Sequence, residues 1–506
     1  MKNIVKNTLT LSSNLMVKVK MPISILVIAC AFGGCSVTQT AKENTKQPNI
    51  LFILADDHRW DMLGKYHPII NTPTLDTLAS KGTVFKNAFV TTPICATSRV
   101  SILSGLTERT HDFTFSRPKA GAVESANMYP NVVKTGGYST AFVGKYEIGI
   151  SGSNEERFDY FKPLLQAKTA EYKGQTLPQT YHIAELAKDF IEQSQTTGQP
   201  WTMAVNFWNP HAHDRDLVDQ YHYPEEFESM YADITIPSAK FSDDVTFNAL
   251  PKFLKESIGR ERWEWRYNSP EKYQKMVKRY YRAISAVDKA VGMIYQKLEE
   301  TGIADNTVII YMGDNGYNLN ERQLAGKWFG WEEDLRVPLI IYDPRNQNSH
   351  GKEVQKMALN IDVTSTIVEL AGLQPPVSYQ GKSLVPLLGN EKISNQANTK
   401  WRDEFFFEHM YQPKRTFIPP TVGIRTEKWK YVDFYKNGFQ QLFDLEKDPQ
   451  EAYNLIDSPA HQTVIKQLSD KTDQYIQKYE AARSDEVKQR SSFINVRHQQ
   501  SPKYGK

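Results

Sequence analysis

The sequence predicts an α/β fold: a large mixed, mostly parallel sheet sandwiched by helices, followed by a smaller C-terminal antiparallel sheet plus helix. Apolar runs of strand length recur at 49–55, 139–144, 201–208 and 306–313. Such near-continuous runs suit parallel strands buried on both faces. Helix-period segments lie between them, and beyond residue 390 the text changes to short strand-like runs.

The elements follow in order. NILFILA opens the sheet and stops at Asp56-Asp57-His58. TPTLDTLASKG (72–82) has a Thr72 cap, an apolar stripe of Leu75, Leu78 and Ala79, and a terminal Gly82. STAFVG ends at Lys145, WTMAVNFW at Asn209-Pro210-His211, and NTVIIYMG at Asp314-Asn315-Gly316. Segment 270–301 carries Tyr280, Ile284, Val287, Val291, Ile294 and Leu298 on one face. After a polar linker come FFFEHM, VGIRTEKWKYVDF and FQQLFDLE, with Asn437-Gly438 marking a hairpin. A helix with Ile465, Leu468, Thr472, Tyr475 and Tyr479 on one face completes the smaller unit.

The domain reading is a leader over 1–35, a linker over 36–47, a catalytic domain over 48–392 and a C-terminal α+β subdomain over 393–483. Residues 484–506 read as a disordered polar tail. The leader holds Lys2, Lys6, Lys18 and Lys20, no acidic residue, and the apolar run ISILVIACAF, too short to span a bilayer. Cys30 and Cys35 at its end resemble the lipobox of a bacterial lipoprotein. Val-Ile-Ala before Cys30 is the better lipobox by residue type. Cys35 leaves a more normal apolar core and is favoured. The expectation is an exported protein, lipid-anchored in the periplasm or outer membrane, with plain secretion as the alternative.

Removing four leader lysines from 61 basic residues leaves 57 against 58 acidic ones, a formal charge of −1. That balance gives no basis for nucleic-acid binding. The membrane enters only through the lipid anchor. With Cys30 and Cys35 assigned to the leader, Cys95 has no disulfide partner, and an unpaired cysteine in an exported chain points to chemistry.

In open parallel sheets, ligands bind beyond the carboxyl ends of the strands. Here four strand ends carry Asp56-Asp57, Lys145, His211 and Asp314-Asn315. Three carboxylates and an amide form an oxygen-only set suited to Ca²⁺ or Mg²⁺. Lys145, Lys327 and Arg99 beside a cation imply an anion bound to both, a phosphate or sulfate ester. Cys95 precedes the helical run VSILSGL, and a helix N-terminus favours an anion. A soft thiolate beside a hard cation is a poor fit, so this cysteine calls for modification.

The motifs PNILFILADD, CATSRVSILSG, VGKYEIG, NPHAH, DNG, GKW and LFDLEKDPQEAYNL resemble the formylglycine-dependent type I sulfatases of the alkaline phosphatase superfamily, over nearly the whole mature chain. The resemblance implies an alkaline phosphatase-like fold and oxidation of Cys95 to formylglycine by a maturation enzyme. One oxygen of the hydrated aldehyde would attack sulfur, and the other would then release sulfate. It implies one Ca²⁺ held by Asp56, Asp57, Asp314, Asn315 and the modified Cys95. Arg99 would steady the nucleophile, Lys145 and Lys327 would hold sulfate oxygens, and His211 would contact the ester or protonate the leaving oxygen. The implied substrate is a sulfated oligo- or polysaccharide, with algal polymers such as ulvan leading through resemblance to sulfatases of marine bacteria.

Two positions depart from the pattern. Thr97 stands where the family has Pro or Ala, and Glu147 where GKWH-type motifs have histidine. Glu147 is expected to touch Lys145, the hydrated aldehyde or a sugar hydroxyl, or else to face water. His111 and His213 are further candidates for substrate contact, with a satisfied structural histidine the equal alternative for each. RERWEWRY (260–267) could stack on sugars or pair with uronates, although helix packing is the preferred reading of its tryptophans. Two rivals stand beside the sulfatase: a phosphate or phosphonate ester hydrolase on the same fold, and an inactive glycan-binding lipoprotein.

Overall fold

The structure is a computed structural model and describes residues 46–114, 118–389, 401–411 and 417–490. The leader and its Cys30 and Cys35 lie outside the described residues, as does most of the polar linker near residue 390. Among the described residues no helix is long and apolar enough to cross a membrane.

The main sheet contains β1 (Asn49–Asp56), β2 (Thr83–Phe85), β3 (Ser139–Lys145), β4 (Tyr160–Leu164), β5 (Trp201–Pro210), β6 (Thr307–Gly313), β7 (Leu339–Tyr342) and β8 (Lys352–Val354). Their spatial order is β8-β2-β7-β6-β1-β5-β3-β4. β7 runs antiparallel to β6 and β2, and the remaining pairs are parallel. The mixed, mostly parallel sheet expected from the apolar runs is therefore present.

Both faces are covered, which is why these strands lack polar alternation. From β1, Ile50, Phe52 and Leu54 enter one core with Val100 and Ile102 of helix Cys95–Ser104 and Val363 and Ile367 of helix Asn360–Leu370. Leu51, Ile53 and Ala55 enter the other, against helices Pro73–Lys81, Gln179–Ser194 and Pro270–Glu300. Each buried Leu or Ile contributes roughly 1.5–3 kcal/mol of transfer free energy.

The smaller sheet comprises β9 (Glu404–His409), β10 (Thr421–Thr426), β11 (Trp429–Phe434) and β12 (Phe439–Asp444), antiparallel in sequence order. The run VGIRTEKWKYVDF is two strands. Thr426 Oγ1 accepts from Trp429 N at 2.7 Å and donates to its carbonyl at 3.1 Å, closing a tight turn. Gly438 has φ +60°, the left-handed conformation that the hairpin signal requires. One face of this sheet joins the first core through Phe405, Phe407 and Val432. The other packs under helix Gln462–Ala481 through Ile424, Leu442 and Leu468.

The tail is ordered further than its composition implies. Asp485–Arg490 forms a short helix with Val487 fully buried, and Ser484 is tied to Glu124 by its backbone and hydroxyl. That burial is what a reading by polarity alone misses.

Candidate active site

The register of β1 assembles the site. Ala55 lies opposite Gly313 on one side and Phe207 on the other. The residues that follow, Asp56-Asp57 and Asp314-Asn315, therefore leave the sheet side by side. A bulge after Ala55 places Asp56 opposite Pro210, which brings His211 to the level of Asp57. Asp57 takes φ +66°, so the chain turns sharply while both carboxylates stay buried.

Helix Cys95–Ser104 adds the next groups. Its preceding residue, Ile94, gives no side-chain cap, and the helix starts at Cys95 itself, slightly earlier than the sequence suggested. Uncapped N–H groups and the dipole face the site. Arg99, one turn along, donates to Asp314 Oδ2 at 2.9 Å. Lys145, at the end of β3, contacts Asp56 through a short ion pair and lies 3.9 Å from Cys95 Sγ. Lys327 donates to Asp57 Oδ1 at 2.5 Å and lies 3.5 Å from Asp56. His211 Nε2 is 3.8 Å from Asp57 Oδ2.

Burial opposes every charge here, and the balance differs by residue. Burial pushes Asp56 up, but Lys145, His211, Lys327 and Arg99 hold it well below the usual carboxylate range. Burial and neighbouring Asp56 push Asp314 upward. Burial pushes His211 down to about 4, leaving it neutral at pH 7.

The donor set fits a hard cation. Ligand atoms of Asp56, Cys95 and Asp314 lie within 4.8 Å of one another, as do those of Asp56, Asp57 and His211. Asp57 Oδ2 and Asn315 Oδ1 are buried without a hydrogen-bond partner. Asn315 turns its amide nitrogen to Asp57 Oδ1 at 2.7 Å, which leaves its oxygen free to coordinate.

Cys95, Lys145, Lys327 and His211 open into a cleft of about 700 Å³. Glu147 and His213 line it too. Glu147 has φ +38°, and its Oε2 lies 3.7 Å from Lys145 Nζ. His111 does not line the cleft. It is buried, with Nε2 against Ser101 Oγ at 3.0 Å and Nδ1 accepting from Phe113 N at 3.1 Å. The expectation of a substrate contact is corrected to a core histidine, because both ring nitrogens are already engaged. Thr97 is fully buried within the first turn of the helix.

Sequence reasoning missed Trp208, whose ring lies 4.1 Å from Lys145 Nζ, and Trp328, Tyr411 and Asp214 on the cleft wall. Trp328, next to Lys327, has φ +94°. Trp265 of RERWEWRY lines the cleft, so helix packing alone does not describe that motif.

A carboxylate cluster beneath two ammonium groups, at the carboxyl ends of a helix-covered sheet, defines a hydrolase of the alkaline phosphatase-like fold that works on ester anions. The family model described as Sulfatase matches residues 48–373, and the chain belongs to that family, the sulfuric ester hydrolases. A second model, N-sulphoglucosamine sulphohydrolase, C-terminal, matches residues 320–478. Among the relatives, an N-acetylglucosamine-6-O-sulfatase of Bacteroides thetaiotaomicron is 25% identical, covering 88% of this chain and 89% of its own. An ulvan-active sulfatase of Formosa agariphila is 24% identical, covering 93% and 88%. A solved structure in complex with its substrate D-glucosamine-2-N,6-O-disulfate superposes with a TM-score of 0.68 at 24% identity. It covers 86% of this chain and 99% of its own, and it shows the shared fold.

Proposed function

We propose that this protein is a calcium-dependent sulfatase that removes sulfate esters from a sulfated carbohydrate, with Cys95 matured to formylglycine. One observation carries the reading. Cys95 begins a buried helix beside Lys145, at the edge of an oxygen-only carboxylate cluster, and opens into a cleft large enough for a sugar. Algal polymers such as ulvan are the first substrates to test. Both carbohydrate-active relatives support the broader class.

The residues divide the work. Ca²⁺ held by Asp56, Asp57, Asp314, Asn315 and the modified Cys95 would supply Lewis-acid charge at an ester oxygen. The hydrated aldehyde of Cys95 would supply an oxygen nucleophile in place of a soft thiolate. Lys145 and Lys327 bind sulfate oxygens and offset charge that develops on them. Arg99 anchors Asp314 and keeps positive charge beneath residue 95. His211, neutral in its buried position, offers an N–H to the leaving oxygen. A maturation enzyme that accepts Thr97 two residues after Cys95 is a required partner, acting before Thr97 is buried. Export and lipid anchoring through Cys35 complete the proposal.

Mass spectrometry of the Cys95 peptide from the native host, paired with sulfate release from defined sulfated oligosaccharides, tests it. The expected result is formylglycine, turnover of sulfate esters above matched phosphate and phosphonate esters, and none in Cys95→Ala. Full turnover by protein carrying only unmodified Cys95 would overturn it, and faster phosphonate cleavage would favour the rival hydrolase.

A further inference from the structure

The cleft wall beyond the two lysines carries more positive charge than its own carboxylate neutralises. Asp214 forms short ion pairs with both Arg262 and Arg266. Arg266 is fully buried and also donates to Tyr317 Oη at 2.8 Å and to Gln220. Its role is structural. Arg262 reaches the cleft, gives Nη2 to Asp214, and has its shielded Nε without a hydrogen-bond partner. Its guanidinium sits 4.7 Å above the ring of Trp328, the residue after Lys327. Arg215, next in sequence to Asp214, is exposed and lines the same cleft. No ion pair joins it to a carboxylate among the described residues. Two guanidiniums, Arg262 and Arg215, thus line this part of the cleft, where the one carboxylate, Asp214, is already shared with buried Arg266.

This wall is continuous with the reaction centre. His211, beside Asp57, helps hold Asp214 below the usual carboxylate range, after burial, which raises it, and the two arginines. Trp265 also lines the cleft and offers a flat apolar face to a sugar ring. Glu147, the other carboxylate lining the cleft, is placed at Lys145.

We propose that Arg262 and Arg215 form a second anion subsite, so that the substrate sugar carries a further oxyanion, a carboxylate or second sulfate, near the ester that is cleaved. The subsite rests on the sulfatase reading and narrows it to polyanionic carbohydrates. A guanidinium fork matches either oxyanion, and the exposed guanidinium of Arg215 beside the cleft-lining Arg262 offers donors to one.

The test is equilibrium binding to the holoenzyme of glucose 3-sulfate, glucuronic acid 3-sulfate and glucose 3,6-disulfate, read with turnover of each. Position 6 then carries a hydroxyl, a carboxylate or a second sulfate. The expected result is at least tenfold tighter binding of one dianion than of glucose 3-sulfate, and the preferred dianion identifies the oxyanion. Arg215→Ala and Arg262→Gln should each reduce that preference severalfold; the exposed Arg215 gives a variant that does not depend on Asp214 pairing. Equal affinities, no binding of any probe, or a preference untouched by both variants overturns the subsite. Preferential binding without turnover upholds the subsite and counts against the sulfatase reading.

Discussion

Arg99 donates from Nη1 to Oδ2 of Asp314 at 2.9 Å, with both side chains buried. The pair joins helix Cys95–Ser104 to the end of β6. Breaking such a pair leaves an uncompensated buried charge and costs about 3–5 kcal/mol. Arg99→Ala should therefore lower the thermal midpoint and abolish turnover. Added Ca²⁺ should recover part of the midpoint, because a cation at Asp314 replaces the missing charge. Identical losses with and without Ca²⁺ would contradict the cation assignment.

Chelation gives a direct check of the donor set. Metal removal should abolish sulfate release, and Ca²⁺ should restore it better than Zn²⁺, since carboxylate and amide oxygens outnumber the one sulfur and one imidazole nitrogen in the cluster. Asp314→Ala should purify without metal and without activity. A fully active, metal-free Asp314→Ala protein refutes the cluster as a cation site.

Glu147 departs from the family motif and sits 3.7 Å from Lys145 with a partly exposed side chain. Glu147→Gln keeps its shape and removes its charge. The expected effect on a native sulfated glycan is a loss of roughly two- to fivefold, the scale of one partly exposed charge pair. Glu147→His should not exceed wild type, because the Lys145 contact is set for a carboxylate. Equal or better activity of Glu147→His on both glycan and aryl sulfate makes the residue incidental.

Acid should expose the cost of keeping His111 neutral. Burial pushes its pKa down to about 3, with Arg483 adding to the shift. The unfolded chain binds this proton near pH 6.5 and the folded chain does not, so stability falls as pH drops through that range. Between pH 6.5 and 4.5 this group removes about 2 kcal/mol. Denaturation curves of His111→Gln should show an acid loss smaller by that amount than wild type. An unchanged slope would mean that His111 is not the neutral core group described.

What the sequence made legible follows from burial. Strands covered on both faces are uniformly apolar, so their ends were visible as the first polar residues, and Asp56, Lys145, His211 and Asp314 stand at those ends. Helix Cys95–Ser104 was visible through Cys95 and Arg99. The Arg99–Asp314 pair spans 215 residues of sequence, and no local pattern encodes such a distance. Asp214, Trp328 and Tyr411 lie on irregular segments whose placement depends on tertiary packing. His111 looked available because it follows the nucleophile helix, and only the packed structure shows its nitrogens taken. Val487 was hidden as the one apolar residue of the polar run 484–490.

Tyr411 and Ile418, between β9 and β10 of the smaller sheet, lie on the wall of the cleft that Cys95 and Lys145 also line. The order of biosynthesis therefore matters. At roughly 5–20 residues per second, translation makes Asp56 about 20–70 s before Tyr411. During that interval the first strand has neither its β6 neighbour until residue 313 is made nor the last wall of the pocket. Asp57 meets Lys327, and Arg99 meets Asp314, only when most of the chain exists. On the reading proposed above, a maturation enzyme would have an early window in which residue 95 is an extended, accessible peptide, and a chain truncated before β9 would keep the cluster but lack that wall.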